Sequence, residues 1–135
     1  MSAAAKSPVH LLRVGDGGGD DIVGRLELLL ESSGLSGIAA ANDLVALKMH
    51  FGESNETGHV RPRFLRRIVA WLLKRGTTPF LTDCNTLYRG ARSDSVTHLR
   101  TAAEHGFTYA AVGAPIVIAD GLRGASEVRL PVQGG

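Results

Sequence analysis

Short apolar runs alternate with longer amphipathic segments along this chain. The runs have the length and composition of strands, and they span residues 10–14, 44–51, 79–82, 109–112 and 116–119. Between them, apolar residues recur at helical spacing over about 21–33, 62–75 and 95–105. This alternation predicts an α/β fold with a mostly parallel sheet of four to five strands and helices packed on it, in the order βαβαβαβ. The run 44–51 starts apolar on both faces, so we expect that strand to be covered on both sides.

Capping and turn residues set the expected boundaries of the helices. Asp20 is the expected N-cap of the first helix and Gly34 its stop, while Pro62 suits the first turn of the second. The third helix is expected to be capped by Ser93 or Ser95. Its predicted buried side consists of Val96, Leu99, Ala102 and Ala103.

Length and composition predict one domain of a soluble protein. The chain has 135 residues, so we interpret 1–9 as a tail and 10–135 as a single α/β domain. After 116–119 only a short run at 128–132 follows, so the sheet is expected to be incomplete at the C-terminus and the chain to be a fragment of a longer protein. An unfinished sheet edge favours pairing with another copy, which leaves a homo-oligomer open.

Charge and hydropathy argue against nucleic acid and membrane partners. The formal net charge is only +2, so no strong field favours nucleic acid. No apolar run approaches the roughly 20 residues that span a bilayer, and the N-terminus has no secretory signal. We therefore expect a cytoplasmic protein without membrane contact.

Polar loops follow the predicted strands, and they are the candidate site. In an open parallel sheet, ligands bind beyond the carboxyl ends of the strands. The loop after the second strand and its approach carry Lys48, His50, Glu53 and Asn55. The loop after the third strand carries Asp83, Asn85, Thr86, Arg89 and Arg92. After the last strand comes Asp120.

These side chains suggest a small anionic ligand, with structural alternatives left open. Lys48 and Arg89 would counter its charge, and Arg92 would complete an arginine clamp. His50 or Asp83 is the candidate for proton handling. In the structural alternative, Lys48 reaches solvent or pairs with Asp83 or Asp120. Asn85 and Thr86 would then only hold the turn.

Other chemistries find weaker support. The GDGGGD stretch at 15–20 lacks the last glycine of a dinucleotide fingerprint, and its two aspartates at 16 and 20, together with the following Asp21, would repel a pyrophosphate. The spacing of His50, Glu53 and His59 is not a zinc pattern. His98 and His105 are expected at the surface. No motif of a serine hydrolase is present, and Cys84 has no identifiable histidine partner.

The second predicted helix is strongly basic. Residues 59–76 carry six lysines and arginines and no acid. A solvated face is the usual explanation, and the alternative is that 61–75 docks a partner or contacts RNA.

Four stretches resemble one family: VALKMHFGE, RPRFLRRIVAWLLKRG, PFLTDCNTLYRGARSDSVTHL and HGFTYAAVGAPIVIADGLRG. They are similar to the N-terminal part of the domain of unknown function 362, a family often described as iron–sulfur cluster-binding. The resemblance covers about residues 44–130. It implies a continuing chain with a ferredoxin-like C-terminal segment that carries 4Fe–4S clusters.

The expected function follows from this resemblance. A cubane cluster needs about four thiolates, and this chain has only Cys84. We therefore expect an α/β module that holds no cluster or metal itself, in a redox or electron-transfer protein, with a site for a small anionic ligand. The alternatives are a stand-alone enzyme acting on a phosphorylated or carboxylated metabolite, and an interaction module that docks through 61–75.

Overall fold

The computed structural model describes residues 6–13, 15 and 18–132, and it is an α/β fold. Three helices of ten or more residues are present: α1 (Gly18–Ser32), α2 (Pro62–Leu73) and α3 (Ser95–Glu104). A short helix α4 (Tyr109–Val112) follows α3. The three strands are β1 (Leu44–Lys48), β2 (Thr78–Asp83) and β3 (Ile116–Ile118). A single 3-10 turn at Leu35–Gly37 links α1 to β1.

The strands form one parallel sheet in the order β1-β2-β3. Leu47 of β1 lies beside Leu81 of β2, and Leu81 lies beside Ile116 of β3. The predicted parallel α/β architecture is confirmed. The predicted count of four to five strands is not, because the described residues contain three.

Two predicted strands have a different structure. Residues 10–13 have no regular secondary structure, and Val14 lies outside the described residues. The run Tyr109–Val112 is a helical turn, because the Thr108 hydroxyl accepts a hydrogen bond from the Ala111 N–H and Gly113 ends the turn at φ 86°. The run 128–132 is exposed and unpaired in the sheet. The observed order is therefore αβαβααβ.

The N-terminal predictions are tested only in part. Residues 1–5 of the expected tail, Asp16 of the glycine-rich stretch and residues 133–135 lie outside the described part of the chain. Residues 6–9 are exposed and irregular, as expected of a tail. Helix α1 begins at Gly18, so Asp20 lies within its first turn instead of preceding it.

All helices that pack on the sheet cover the same face. The chain steps from β1 to β2 to β3 in one direction, and right-handed crossovers then place α2, α3 and α4 on one side. The main core lies between these helices and the sheet. Its fully buried members include Phe51, Val69, Leu81, Phe107 and Val112.

No described residue outside the sheet covers its opposite face, so the expected double coverage of β1 is wrong. Leu44 is 75% exposed and Val117 is 47% exposed. The apolar residues on both faces of β1 indicated a strand covered on both sides. The chain crosses the sheet in one direction, however, and this places the connecting helices on one side only.

Helix α1 packs on α2 and pairs with much of its basic surface. Arg67 lies 3.1 Å and Lys74 3.7 Å from the Glu27 carboxylate. Arg75 pairs with Glu31 and stacks 3.8 Å over the ring of Trp71. These contacts explain why a helix with so many cations is stable, and they reduce the surface available to an external partner.

Helix α3 buries only part of the predicted side, because Ala102 is fully buried but Ala103 is exposed. Val96 is 69% exposed and Leu99 is 38% exposed, whereas His98 is fully buried and Thr101 nearly so. The helix begins directly after Asp94, whose carboxylate accepts hydrogen bonds from the first-turn N–H groups. The apolar and the polar residues of α3 both recur at helical spacing. The polar side is the buried one because it faces the polar ends of the strands.

Candidate functional site at the carboxyl edge of the sheet

The loops after the three strands meet at one edge, as expected for parallel strands. Lys48 at the end of β1 lies beside Thr82 of β2. The Met49 N–H donates to the Thr82 carbonyl, and the Ala119 N–H donates to the Asp83 carbonyl. The loops that carry the predicted site residues therefore begin next to one another at the ends of the three strands.

Asp83 lies at the centre of this edge. Its side chain is 7% exposed. One oxygen, Oδ1, accepts hydrogen bonds from Lys48 Nζ at 2.7 Å and from the Cys84 N–H at 2.9 Å. The other, Oδ2, accepts from Arg92 Nη1 at 3.2 Å. Of the two carboxylates suggested for Lys48, Asp83 is the one it contacts.

Arg92 is bound between two carboxylates. Besides its contact with Asp83, the guanidinium pairs with Glu53, and its Nη2 donates a hydrogen bond to the Tyr88 hydroxyl oxygen at 3.0 Å. The Tyr88 hydroxyl in turn donates to Glu53 at 2.6 Å. Arg92 is therefore neutralised within the chain, and it is not a free half of an arginine clamp.

These contacts shift the pKa values of both partners. Hydrogen bonds from Arg92 and then Tyr88 lower the pKa of Glu53 to about 2. Burial alone would lower the pKa of Arg92, but the hydrogen bonds with Glu53 and Tyr88 outweigh it and the pKa rises. Both groups stay charged at neutral pH, so the loop carrying Tyr88 and Arg92 is fixed to the loop carrying Glu53.

Lys48 and His50 are solvent-accessible polar groups next to this network. The Lys48 side chain is 63% exposed even though Asp83 fixes its ammonium. The His50 side chain is 57% exposed, and its Nδ1 accepts the Gly52 N–H at 2.9 Å. In the neutral ring this leaves the proton on Nε2, which lies 3.9 Å from Glu53.

Asn85 and Asp120 brace the loops after β2 and β3. The Asn85 N–H donates to the Asp120 carboxylate at 3.0 Å, and the Asn85 amide donates to Asp120 at 3.1 Å and to the Gly121 carbonyl at 2.8 Å. The Ser95 hydroxyl donates to the same carbonyl at 2.7 Å, so the first residue of α3 is hydrogen-bonded to the loop after β3. The structural explanation for Asn85 therefore holds, and it extends to Asp120.

The remaining candidates lie on the same loops with smaller roles in the network. Thr86 Oγ1 donates to the Tyr88 carbonyl at 2.9 Å and so holds the turn. Asn55 has φ 64° in the loop after β1, a conformation that Asn tolerates better than most residues. Arg89 is exposed and directly follows Tyr88. Of the two loop arginines, Arg89 is thus the exposed one.

A buried histidine that no sequence pattern indicated lies beside this site. His98 is fully buried, packs edge-to-face against Phe51, and has no hydrogen-bond partner on either ring nitrogen. Its Nε2 lies 3.5 Å from Asp83 Oδ2. The expected surface position is therefore wrong, since helical spacing alone could not indicate which side of α3 meets the strand ends.

Burial of His98 predicts a loss of stability on mild acidification. Desolvation lowers its pKa below the ordinary value of 6.5, although Asp83 opposes the shift. The unfolded chain then binds a proton that the folded chain does not, so the free energy of unfolding falls as the pH drops below about 6.5. We expect His98→Met to reduce the stability difference between about pH 7.5 and pH 5.5 in urea unfolding.

A histidine far from the buried cluster provides the matched control. His10 is exposed, and His10→Gln should leave that stability difference unchanged. An identical difference in wild type and His98→Met would show that His98 is not responsible. The pKa of His59 is also lowered, first by desolvation, so some acid sensitivity should remain in the His98 variant.

Two further histidines pack on the turn after β1. The rings of His59 and His105 stack with centroids 4.5 Å apart, and His105 Nδ1 lies 2.7 Å from the Phe51 carbonyl. Beside them is a cavity of about 190 Å³, which is lined by His50, Gly52, Glu53, Glu56, Gly58 and His59. The rings of His59 and His105 can approach Gly52 closely because glycine has no Cβ.

The part of the chain that the structure describes does not fit a metal centre or an iron–sulfur cluster. Within the described residues, no three His, Cys, Asp or Glu side chains are placed to hold a metal ion. Cys84 is an exposed free thiol, and a cubane cluster needs about four thiolates. No helix in the described part of the chain is long and apolar enough to cross a bilayer.

The fold and the strand-edge network define an open parallel α/β domain with its polar groups at the carboxyl ends of the strands. A family model described as domain of unknown function (DUF362) matches residues 45–135, from β1 through all of the candidate site. The chain belongs to the DUF362 family. No curated protein and no solved structure matches it significantly.

Proposed function

We propose that the carboxyl edge of the sheet binds a small anionic ligand, with Lys48 as the principal contact. The observation that carries this is the state of Lys48: Asp83 holds its ammonium at 2.7 Å, yet the side chain is 63% exposed. Hydrogen bonds to Asp83 and the Met49 carbonyl use two of the three ammonium protons. The third is available to a ligand without rearrangement.

His50 and Arg89 complete the proposed contact set. His50 presents an Nε2 proton at the same edge, because its Nδ1 accepts a backbone N–H. Arg89 adds an exposed cation from the loop that Tyr88 and Arg92 fix in place. Asp83 acts as a positioning residue in this proposal, because its two oxygens already accept three hydrogen bonds.

A thermal-shift experiment tests this site. Inorganic phosphate, pyrophosphate and succinate serve as probes, because they represent phosphorylated and carboxylated ligands. A probe at about 100 times its dissociation constant should stabilise the fold by about 2.7 kcal/mol. Lys48→Ala and Arg89→Ala should each abolish the shift, whereas Arg100→Ala, an exposed arginine on α3, should preserve it. An equal shift in all variants would remove the proposed site.

The redox setting suggested by the family resemblance is a separate part of the proposal. Since this chain supplies one cysteine, cluster ligands would have to come from another segment or another polypeptide. Iron and acid-labile sulfide analysis tests this on protein isolated from its native source. Both should be present in the native assembly and absent from this chain alone, and an iron-free native assembly would contradict the redox setting.

The alternative of docking through the basic helix has less support. Arg66 donates to the carbonyls of Ala110 and Ala111, and Arg67, Lys74 and Arg75 contact acids of α1. A stand-alone enzyme remains a variant of the ligand proposal, in which His50 would handle protons.

A further inference from the structure

The chain turns back on itself directly after β3. The Ser126 N–H donates a hydrogen bond to the Asp120 carbonyl at 2.9 Å, so the loop between these two residues is closed at its base. Residues 125–132 follow without regular secondary structure, and they are exposed. The segment that leaves this loop therefore starts beside the end of β3.

One edge of β3 is not paired with another strand in the described part of the chain. On its other side, the Leu81 N–H donates to the Pro115 carbonyl, and the Ala119 N–H donates to the Asp83 carbonyl. Residues 115 and 119 therefore direct these backbone groups toward β2. Because backbone groups alternate in direction along a strand, those of residues 116, 118 and 120 are directed to the unpaired edge.

The hydrogen bond between Ser126 and Asp120 sets the register in which the returning segment can pair with this edge. With 126 opposite 120, an antiparallel pairing places 128 opposite 118 and 130 opposite 116. Those are the positions of β3 whose backbone groups are directed to the unpaired edge. The Ile118 carbonyl already accepts the Gly121 N–H at 3.4 Å, and its second lone pair can accept the N–H of residue 128.

The apolar residues of the returning segment alternate as this register requires. Val128, Leu130 and Val132 are 85%, 77% and 90% exposed in the unpaired segment. Residues directly opposite each other in an antiparallel pair lie on the same face of the sheet. Val128 and Leu130 would thus lie beside Ile118, a member of the main core, and Ile116, which packs against that core.

The two residues between these apolar positions also suit the register. Pro131 has no N–H, and it would lie opposite residue 115, where the backbone groups of the returning segment point away from β3. Arg129 would lie opposite Val117, which is 47% exposed on the face that no described helix covers. The charge of Arg129 would therefore stay in water.

We propose that residues 127–132, which we call the strap, close onto the unpaired edge of β3 as a fourth, antiparallel strand. The strap is unpaired in the structure, and closure would remove its apolar side chains from water while pairing the backbone groups of Ile116 and Ile118. Closure would also fix the loop that carries Asp120, whose carboxylate braces Asn85. A closed strap prevents another chain from adding a strand at β3.

Hydrogen exchange measured by NMR on the wild-type chain tests closure. The amides of Val128 and Leu130 should exchange at least about tenfold more slowly than the amide of Arg129, because only the first two point toward β3. Leu130→Ser should remove the protection of Val128, and Arg129→Ser should leave it unchanged. Equally fast exchange at 128, 129 and 130 in the wild type would overturn the proposal.

A pair of engineered cysteines tests the register. Residues 117 and 129 would form a pair without mutual hydrogen bonds, with Cα atoms about 4.5 Å apart, which is within the range of a disulfide. In a Cys84→Ser background, Val117→Cys with Arg129→Cys should form an intramolecular disulfide at least about tenfold faster than Val117→Cys with Leu130→Cys. Residue 130 is the matched control, because its side chain would lie on the other face.

The same cross-linking experiment identifies the chain to which the strap binds. Equal rates in the two cysteine pairs would overturn the proposed register. A disulfide that joins two chains, in place of the intramolecular one, would overturn closure in favour of pairing with a second copy. None of these outcomes depends on ligand binding at Lys48.

Discussion

Asp83→Ala is expected to lower the free energy of unfolding by about 3–5 kcal/mol, the cost of breaking a buried ion pair by removing one partner. Asp83 is 5% exposed and accepts hydrogen bonds from Lys48 and Arg92. Without it, Arg92 stays buried with Glu53 as its single carboxylate partner. Urea unfolding followed by circular dichroism measures the loss.

Two comparisons make the Asp83 prediction specific. Glu127 forms an ion pair with Arg129 at the exposed C-terminal end, and Glu127→Ala should change stability by less than about 0.5 kcal/mol. Arg92→Met should cost less in the Asp83→Ala background than in wild type, because the two residues share one network. A loss below about 1 kcal/mol for Asp83→Ala would show that the network does not stabilise this edge.

Gly52→Ala is the second large expected effect, at about 3 kcal/mol of lost stability. Gly52 has φ +96°, and an alanine Cβ would lie 2.5 Å from His105 Nδ1 and 3.0 Å from His59 Nδ1. A positive φ costs an L-residue about 1–2 kcal/mol, and overpacking costs a further about 1–3 kcal/mol. Thermal unfolding should show the loss, together with changed ring contacts of the two histidines.

Gly58 supplies the matched control for Gly52. It lies in the same loop, and a Cβ there would meet nothing within 4 Å. Gly58→Ala should leave stability unchanged or raise it by less than about 1 kcal/mol. If both alanine variants behave alike, the turn after β1 accommodates a side chain and the packing argument for this loop fails.

Local patterns were sufficient to predict most of the fold. Pro62 and the apolar stripe of α2 indicated a helix that the structure places at Pro62–Leu73. The apolar run ending at Asp83 indicated β2. The parallel order followed from the alternation of elements. Each of these features depends on neighbouring residues in the sequence, which is why it could be read from the chain.

Features that depend on distant packing could not be predicted. Tyr109–Val112 has strand-like composition, but Thr108 and Gly113 close it as a helical turn. His98 is buried because α3 turns its polar side toward Asp83, and the opposite side had an equally regular apolar pattern. That the described helices cover only one face of the sheet follows from the direction of winding, which no local pattern encodes.

The candidate site shows the same division. Because the carboxyl ends of parallel strands lie at one edge of the sheet, Lys48 and Asp83 were predicted to lie close together. In the structure their side chains are 2.7 Å apart. The pairing of Glu53 with Arg92 and Tyr88 links residues 35 and 39 positions apart. No spacing in the sequence indicated it, and it changes Arg92 from a candidate ligand contact into a group that holds two loops together.

Side-chain NMR of Lys48 and His50 during titration with phosphate, pyrophosphate and succinate tests the central claim most directly. We expect at least one of these anions to shift the Lys48 Nζ and His50 ring signals with saturation. The signals of Arg92 should move little, because its guanidinium is already bound to Glu53 and Asp83. Unchanged Lys48 and His50 signals with all three anions would contradict a ligand site at this edge of the sheet.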